Sequence, residues 1–339
     1  MLLRQENTLK NRPRTVYLDV LRVISMFAVM MLHLAATGHK TAAAGSVPWI
    51  ICRGYDFFAR FAVPVFVMIS GALFLNPEKP VTLRMMLRKC IKRLVLLYFV
   101  WSFGYAVFQS AREYALFSGA YFVSVVRKTA TGHYHMWYLR LCGILYLITP
   151  LLRRITAEKT RLDVLILTVF VFGVLAELLQ LPVPAGKYVG YLGCYCLGHR
   201  LHSMQISQKK VVALAFCGVV SMIAAFLLGE AAQAMDFVSR EWMPWCVLYS
   251  VAVFLVFKNN SNWIERVPTM MTWIKRLASC SLGMYLIHPA INLLLSMAGF
   301  HALTFSPLIC VPLCAVLVCG ASFAVVSVMK KLPLVSRMV

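Results

Sequence analysis

The stretch from Tyr17 to Thr37 is apolar enough to cross a membrane, yet it contains an arginine, Arg22, and a histidine, His33. A charged group inside a membrane-spanning helix costs at least a few kcal/mol and usually faces a cavity, a partner or the interior of a helix bundle. At about 100° and 1.5 Å per residue, the spacing places both side chains on one helix face, roughly 16 Å apart. We therefore expect this face to be functional. In the structural alternative, Asp19 neutralises Arg22 and His33 extends to the outer interface.

The composition supports a chain that is buried mostly in lipid. Apolar residues make up 61% of the 339 residues and charged residues 14%, which an ordinary soluble domain does not approach. Since a span needs about 20 apolar residues, we predict an all-α polytopic membrane protein, a single domain over 1–339 with about ten transmembrane helices. The predicted spans are 17–37, 57–75, 92–110, 136–152, 164–181, 188–201, 211–228, 242–258, 279–299 and 306–329. The sixth is short and glycine-rich, and we expect it to be tilted or broken.

The net charge of +22 does not by itself indicate a nucleic-acid partner, because the positions of the basic residues explain it. Most lysines and arginines lie in alternate loops, on the same side as the N-terminal segment. This asymmetry is typical of cytoplasmic loops. We therefore predict that both termini are cytoplasmic, with residues 1–16 as a basic tail before a first span that is retained rather than cleaved.

A basic turn, defined by Arg84, Arg88, Lys89, Lys92 and Arg93, precedes the third predicted span. Two interpretations stay open for it. It can simply fix the topology and contact anionic lipid headgroups. It can also bind phosphate groups, for which the planar fork of arginine is well suited.

Two further groups carry chemistry that sequence alone does not resolve. His133 and His135 stand beside Trp137 at the mouth of the fourth span, but two histidines without a third ligand make a weak metal site, and we predict none. Ser281 and His288 share a helix face without an acidic residue to orient the histidine, so a hydrolase triad is not expected.

Two other charged sites lie in the second and fifth predicted spans. Asp56 and Arg60 are spaced to form an ion pair near the outer edge of the second span. Glu177, in the fifth span, looks isolated and receives no role.

These fragments together resemble the acyltransferase-3 family of bacterial membrane acyltransferases. In its first span the family has an arginine or lysine that is followed, after ten residues, by a histidine. Arg22 and His33 match this pattern. The other similar fragments, in chain order, are ARFAVPVFVMISGALF, KCIKRL, YHMWYL and SLGMYLIHP. Within the family, the chain looks most like the short stand-alone type exemplified by the enterobacterial common antigen O-acetyltransferase.

The resemblance implies transfer of an acetyl group from cytoplasmic acetyl-coenzyme A to a hydroxyl of a cell-surface glycan or its lipid-linked precursor. Arg22 and the basic turn would hold the nucleotide and phosphates of the donor. His33 would sit at the thioester, either as general base or as a nucleophile that carries the acyl group. The residues expected to bind the substrate are Asp19, Arg60, His135, Trp137, Tyr138, Ser281 and His288.

The resemblance also implies the setting. We expect a multi-pass protein of the bacterial cytoplasmic membrane whose partners are acetyl-coenzyme A, the glycan acceptor and the lipid bilayer, without metal or nucleic acid. The oligomeric state stays open, with a homodimer among the options. The alternative function is transport of a small polar solute or amino acid, as suggested for the membrane portion of membrane-bound serine racemases. In that case Arg22 and His33 would line a transport pathway.

Overall fold

The computed structural model describes residues 15–77, 81–181, 185–333 and 335–339, and this part of the chain is helical without any strand. The predicted basic tail, apart from residues 15 and 16, lies outside the described residues. The long helices are α1 (Val16–Thr41), α2 (Val47–Phe58), α3 (Ala62–Phe74), α4 (Lys92–Glu113), α5 (Gly119–Thr131), α6 (Trp137–Thr156), α7 (Lys159–Leu178), α8 (Ala185–Ser203), α9 (Gln208–Ala231), α10 (Pro244–Asn260), α11 (Pro268–Met297) and α12 (Pro307–Met329).

Six helical segments of the described chain are long and apolar enough to cross a membrane. They are Val16–Thr41, Val47–Phe74, Leu83–Glu113, Gln208–Ala231, Pro268–Met297 and Pro307–Met329. Helices α6, α7, α8 and α10 cover the four other predicted spans but are shorter, less apolar or more charged. The all-helical membrane fold is therefore confirmed, whereas the count of ten spans and the side of the termini stay predictions.

Helices begin well before the second, third and ninth predicted spans, because helix continues through more polar sequence. The second span was expected from residue 57, but its helix begins at Val47, where the Ser46 hydroxyl accepts a hydrogen bond from Trp49 N at 3.3 Å. A 3₁₀ turn, Ala59–Phe61, then joins α2 to α3. The third span was expected from residue 92, but a short helix, Leu83–Met85, and a π-helical turn, Met86–Ile91, carry the basic turn into α4.

The glycine-rich sixth segment forms the unbroken helix α8, and its glycines explain how it packs. A Cβ atom added to Gly198 would overlap the backbone of Met68 in α3, and one added to Gly71 in α3 would overlap the carbonyl of Tyr195. Small residues allow two helix backbones to approach closely. The segment was expected to be tilted or broken, and the prediction of a break is wrong. Its glycines allow close contact between two helices and do not form a turn.

Helix α1 lies at the centre of the bundle, where it contacts α2, α3, α10, α11 and α12. Its side chains at Leu21, Met26, Met30 and Ala35 are almost completely buried. A helix surrounded by other helices presents its polar residues to protein rather than to lipid. Arg22 and His33 therefore lie where a functional site requires them.

Candidate active site

One face of α1 runs past two cavities, with His33 between them. Arg22 and Val29 line the first cavity, and Thr37 and Thr41 line the second. Around the helix, residues 22, 29 and 33 lie within about 40° of one another, and the steps of four residues to 37 and 41 turn this row by about 40° each. The face predicted from Arg22 and His33 is thus continued by cavity-lining residues at both ends.

The first, which we call the Arg22 cavity, has a volume of about 240 Å³. Arg22 Nη1 donates to Asp19 Oδ1 at 2.8 Å, and the Asp19 side chain is only 1% exposed, which confirms the predicted pair. The rest of the lining is apolar except for hydroxyl and thiol groups. These polar side chains are Ser70, Tyr138, Cys142, Tyr146, Ser281 and Tyr285.

Four histidines, His33, His133, His135 and His288, lie close together beyond the Arg22 cavity, and we call them the histidine cluster. The His33 and His288 rings stack with their centroids 5.2 Å apart. The His135 ring lies 5.5 Å from that of His288, and its Nδ1 is 2.8 Å from His133 Nδ1. The structure therefore brings together three histidines that were predicted as site residues from three separate segments.

The hydrogen bond of His288 fixes where its proton lies. His288 Nδ1 is 2.7 Å from the carbonyl oxygen of Tyr285. A carbonyl only accepts, so Nδ1 carries the proton and Nε2 of the neutral ring keeps its lone pair. Nε2 of His288 and Nε2 of His135 are buried and form no hydrogen bond among the described residues. Buried polar atoms of this kind are costly unless a ligand or water meets them.

Tyrosines surround the histidine cluster, and sequence reasoning gave two of them no role. Tyr105 stacks on His133 with centroids 4.3 Å apart, and Tyr134 contacts His33 edge to face at 5.0 Å. The hydroxyl of Tyr285 donates to the backbone oxygen of His135. Tyr134 lies inside the histidine motif of the fourth span, but nothing in the sequence around Tyr105 singles it out.

His133 lies in the loop before α6, and its surroundings keep it neutral. Burial lowers the pKa of His133 to about 4, because removal from water disfavours the charged imidazole. The cluster therefore presents a neutral imidazole at this position near pH 7. The described part of the chain contains no group of three or more residues placed to hold a metal ion.

All five side chains of the basic turn are exposed. None of them lines the Arg22 cavity, but Leu94, which follows Arg93 directly, does. Arg93 also donates to the backbone oxygen of Val339 at 2.6 Å. The basic turn therefore stands beside the Arg22 cavity, and a role in binding phosphate stays a prediction.

Of the predicted substrate-binding residues, Tyr138 and Ser281 line the Arg22 cavity, whereas the others line neither cavity: Asp19, Arg60, His135, Trp137 and His288. Among the latter, Arg60 and Trp137 have partners of their own. Arg60 Nη2 is 2.7 Å from Asp56 Oδ2, which confirms the predicted ion pair, and Arg60 Nη1 donates to the backbone oxygen of Ser239 at 2.8 Å. The Trp137 ring carries the Lys187 ammonium 3.3 Å from its centroid. For both residues, a role in binding the substrate stays a prediction.

Glu177 is not isolated, contrary to the sequence-based expectation. It forms an ion pair with Arg240, in the loop before α10. Residues 177 and 240 are far apart in the sequence, so helix spacing could not reveal the pair.

The sequence profile of the acyltransferase-3 family, described as an acyltransferase domain, matches residues 15–327. The chain belongs to this family. The match covers nearly the whole chain and includes α1 to α11 and most of α12, so it confirms the resemblance and identifies a multi-pass membrane acyltransferase. No curated protein and no solved structure matches the chain.

Proposed function

We propose that this acyltransferase moves an acetyl group from acetyl-coenzyme A to a hydroxyl of a cell-surface glycan or its lipid-linked precursor. The observation that carries the proposal is the row of side chains along α1 in which Arg22 and Val29 line one cavity, Thr37 and Thr41 line the other, and His33 lies between them in the helix. Transfer across a membrane needs a donor on one side, an acceptor on the other and a reactive group between them.

The chemistry of the Arg22 cavity suits the donor. Coenzyme A carries phosphates at one end and a thin amide-bearing arm that ends in the thioester. The basic turn and Arg22 offer cations for the phosphates, while an apolar cavity with scattered hydroxyl groups suits the arm. On this proposal the phosphates lie toward the basic turn and the arm extends along α1 toward His33.

The histidine cluster supplies groups for the transfer step. The acceptor oxygen attacks the thioester carbon, so that a carbon–oxygen bond forms and the carbon–sulfur bond breaks. His33 takes the hydroxyl proton as general base and returns a proton to the departing thiolate. The lone pair on His288 Nε2 offers a second place for this proton. In an alternative route, His33 attacks first and passes the acetyl group on from an acyl-histidine.

Binding of acetyl-coenzyme A to purified protein tests the donor site without knowledge of the acceptor. A ligand that binds only the folded state raises its melting temperature in proportion to saturation. We expect a shift for the wild type and for Arg127→Ala, which removes an exposed arginine of α5. Arg22→Ala should lose most of the shift, because a hydrogen-bonded charge contributes about 1.5–3 kcal/mol.

The same assay separates the possible failures. If succinyl-coenzyme A raises the melting temperature but acetyl-coenzyme A does not, the transferred group is succinyl and the proposed mechanism is otherwise unchanged. An equal shift in Arg22→Ala would remove Arg22 from the donor site. If no acyl-coenzyme A shifts the wild type and no labelled acyl group is transferred, the proposed donor is wrong.

A further inference from the structure

We infer that the second cavity, the Thr37 cavity, binds an uncharged sugar ring as the acceptor. This inference rests on the proposed function and adds the class of acceptor to it. The cavity has a volume of about 540 Å³, within the range of about 300–1,000 Å³ that is typical of small-molecule sites. It lies at the C-terminal end of α1, against α11 and the loop that precedes α12.

The Thr37 cavity reaches the histidine cluster through its own wall. His133 and Tyr134 both line it, and the Tyr134 ring lies 5.0 Å from the ring of His33. Pro289, which follows His288, lines it as well. A hydroxyl at the deep end of a ligand in this cavity would therefore approach the cluster from the side opposite the Arg22 cavity.

Two threonines of α1 present hydrogen-bond acceptors to the cavity. Thr37 Oγ1 donates to the backbone oxygen of His33 at 3.0 Å, and Thr41 Oγ1 donates to that of Thr37 at 3.1 Å. Because each hydroxyl hydrogen is already donated within the helix, the remaining lone pairs of the two oxygens can accept hydrogen bonds from a ligand.

The opposite wall supplies donors. His301 Nδ1 accepts from Leu303 N at 3.2 Å, so a neutral ring carries its proton on Nε2 and can donate it. Asn292 and Ser296, four residues apart on α11, each offer a donor and an acceptor. A sugar hydroxyl both donates and accepts, and a lining of this mixed kind matches several hydroxyls at once.

The charge of the lining selects against acidic sugars. Of the described residues that line the Thr37 cavity, none is an aspartate, glutamate, lysine or arginine, and Lys40 is not among them. A charge moved out of water is normally paired with an opposite charge, and the described residues of this lining include no lysine or arginine to pair with a carboxylate. Tyr134 and three leucines, Leu34, Leu293 and Leu303, supply apolar surface that suits the C–H faces of a neutral ring.

Acetyl transfer to simple glycosides tests this inference. The probes are the methyl glycosides of a neutral hexose, of an N-acetylhexosamine and of a hexuronic acid, each with labelled acetyl-coenzyme A and detergent-solubilised protein. We expect acetylation of the two neutral probes and kcat/KM lower by about tenfold or more for the hexuronate, since an unpaired charge would be desolvated.

Variants of residues that line the Thr37 cavity test whether this cavity binds the neutral sugar. Asn292→Leu and Thr37→Val should each raise KM for the neutral probes about three- to tenfold, because each variant loses one hydrogen bond to the probe. Thr272→Val is the matched control, because Thr272 is also an exposed helical threonine bonded to its own backbone, at the other end of α11. All three should keep the thermal shift with acetyl-coenzyme A.

The outcomes distinguish the two proposals. If acetyl-coenzyme A binds but the hexuronate is acetylated as well as the neutral probes, if no glycoside is acetylated, or if Asn292→Leu leaves KM unchanged, the acceptor inference is overturned. If acetyl-coenzyme A itself neither binds nor donates, the proposed function fails and the acceptor inference fails with it.

Discussion

Two polar regions between the helices differ in how their side chains are bonded. In the region we call the Arg60 network, Arg60 is paired with Asp56 and lies 3.9 Å from Glu241, and Glu241 accepts a hydrogen bond of 2.8 Å from Tyr191. Asp56 Oδ1 and Arg60 Nε lack a hydrogen-bond partner among the described residues, but both groups are paired through their other atoms. In the histidine cluster, by contrast, the buried atoms without a partner among the described residues, Nε2 of His135 and Nε2 of His288, belong to imidazoles and not to a charged pair.

The difference separates two uses of buried polarity. A charge that meets an opposite charge in its own fold is held in place, and removing one partner destabilises the protein. An imidazole nitrogen without a partner in its own fold adds no such bond and can instead form a hydrogen bond with a ligand. We therefore expect changes in the cluster to affect activity more than stability, and changes in the Arg60 network to do the reverse.

The largest effect is expected in the histidine cluster, for His33→Ala. Loss of a positioned general base should lower the rate of acetyl transfer by about 10²–10⁴-fold, while the melting temperature changes little. His39→Ala, near the C-terminal end of the same helix but outside the histidine cluster, is the matched control. Transfer from labelled acetyl-coenzyme A measures the rate. Full activity in His33→Ala would end its assignment as the reactive group.

In the Arg60 network, Arg60→Met should lower the free energy of unfolding by about 2–3 kcal/mol. Breaking a fully buried pair costs about 3–5 kcal/mol, and the Arg60 side chain is 22% exposed. Adding Asp56→Asn should recover part of the loss, because it removes the unpaired charge. Denaturation in detergent measures both variants, with activity expressed per folded molecule.

The exposed pair of Arg161 and Glu158 provides the control for this loss, since Arg161→Met should cost less than about 1 kcal/mol. A loss of activity in Arg60→Met without loss of stability would instead support the substrate-binding role predicted for Arg60 from the sequence.

A smaller loss of stability is expected for Tyr191→Phe, which removes only the hydroxyl that donates to Glu241 Oε2. A hydrogen bond to a charged group contributes about 1.5–3 kcal/mol, but Glu241 keeps its neighbour Arg60, so we expect a loss of about 1–2 kcal/mol. Tyr188→Phe, on the same helix α8, is the control in the same denaturation assay. Equal stability of both variants would show that this bond contributes little to the network.

The smallest effect concerns the pH dependence contributed by His133. The pKa of this residue is about 4 in the folded protein, whereas an unfolded histidine titrates near its ordinary value of about 6.5. Between these values the unfolded state binds more protons, so stability should fall as the pH drops from 6.5 to 4. A pKa difference of this size sets an upper bound of about 3 kcal/mol. Solvent around the partly exposed ring screens the effect, and we expect a contribution below about 1 kcal/mol.

His133→Phe, which keeps a ring against Tyr105, should weaken this pH dependence when melting temperature is followed from pH 7 to pH 4. An unchanged slope would mean that other groups cause it.

The sequence by itself determined the features that depend on spacing within one helix. The face shared by Arg22 and His33, the pair of Asp19 and Arg22, and the pair of Asp56 and Arg60 all follow from the geometry of a single helix, in which residues three, four or eleven apart lie close in angle. The apolar composition likewise determined an all-helical membrane fold, and the motifs determined the family.

Only the tertiary structure decided which helices meet. His33 and His288 are separated by most of the chain, and so are the residues around the Thr37 cavity. Glu177 of α7 pairs with Arg240 in the loop before α10. These contacts depend on how helix surfaces fit together, as at Gly71 and Gly198, where the missing side chains let two backbones touch. Periodicity within one helix fixes the direction of its side chains, but packing between helices selects the partners that they face.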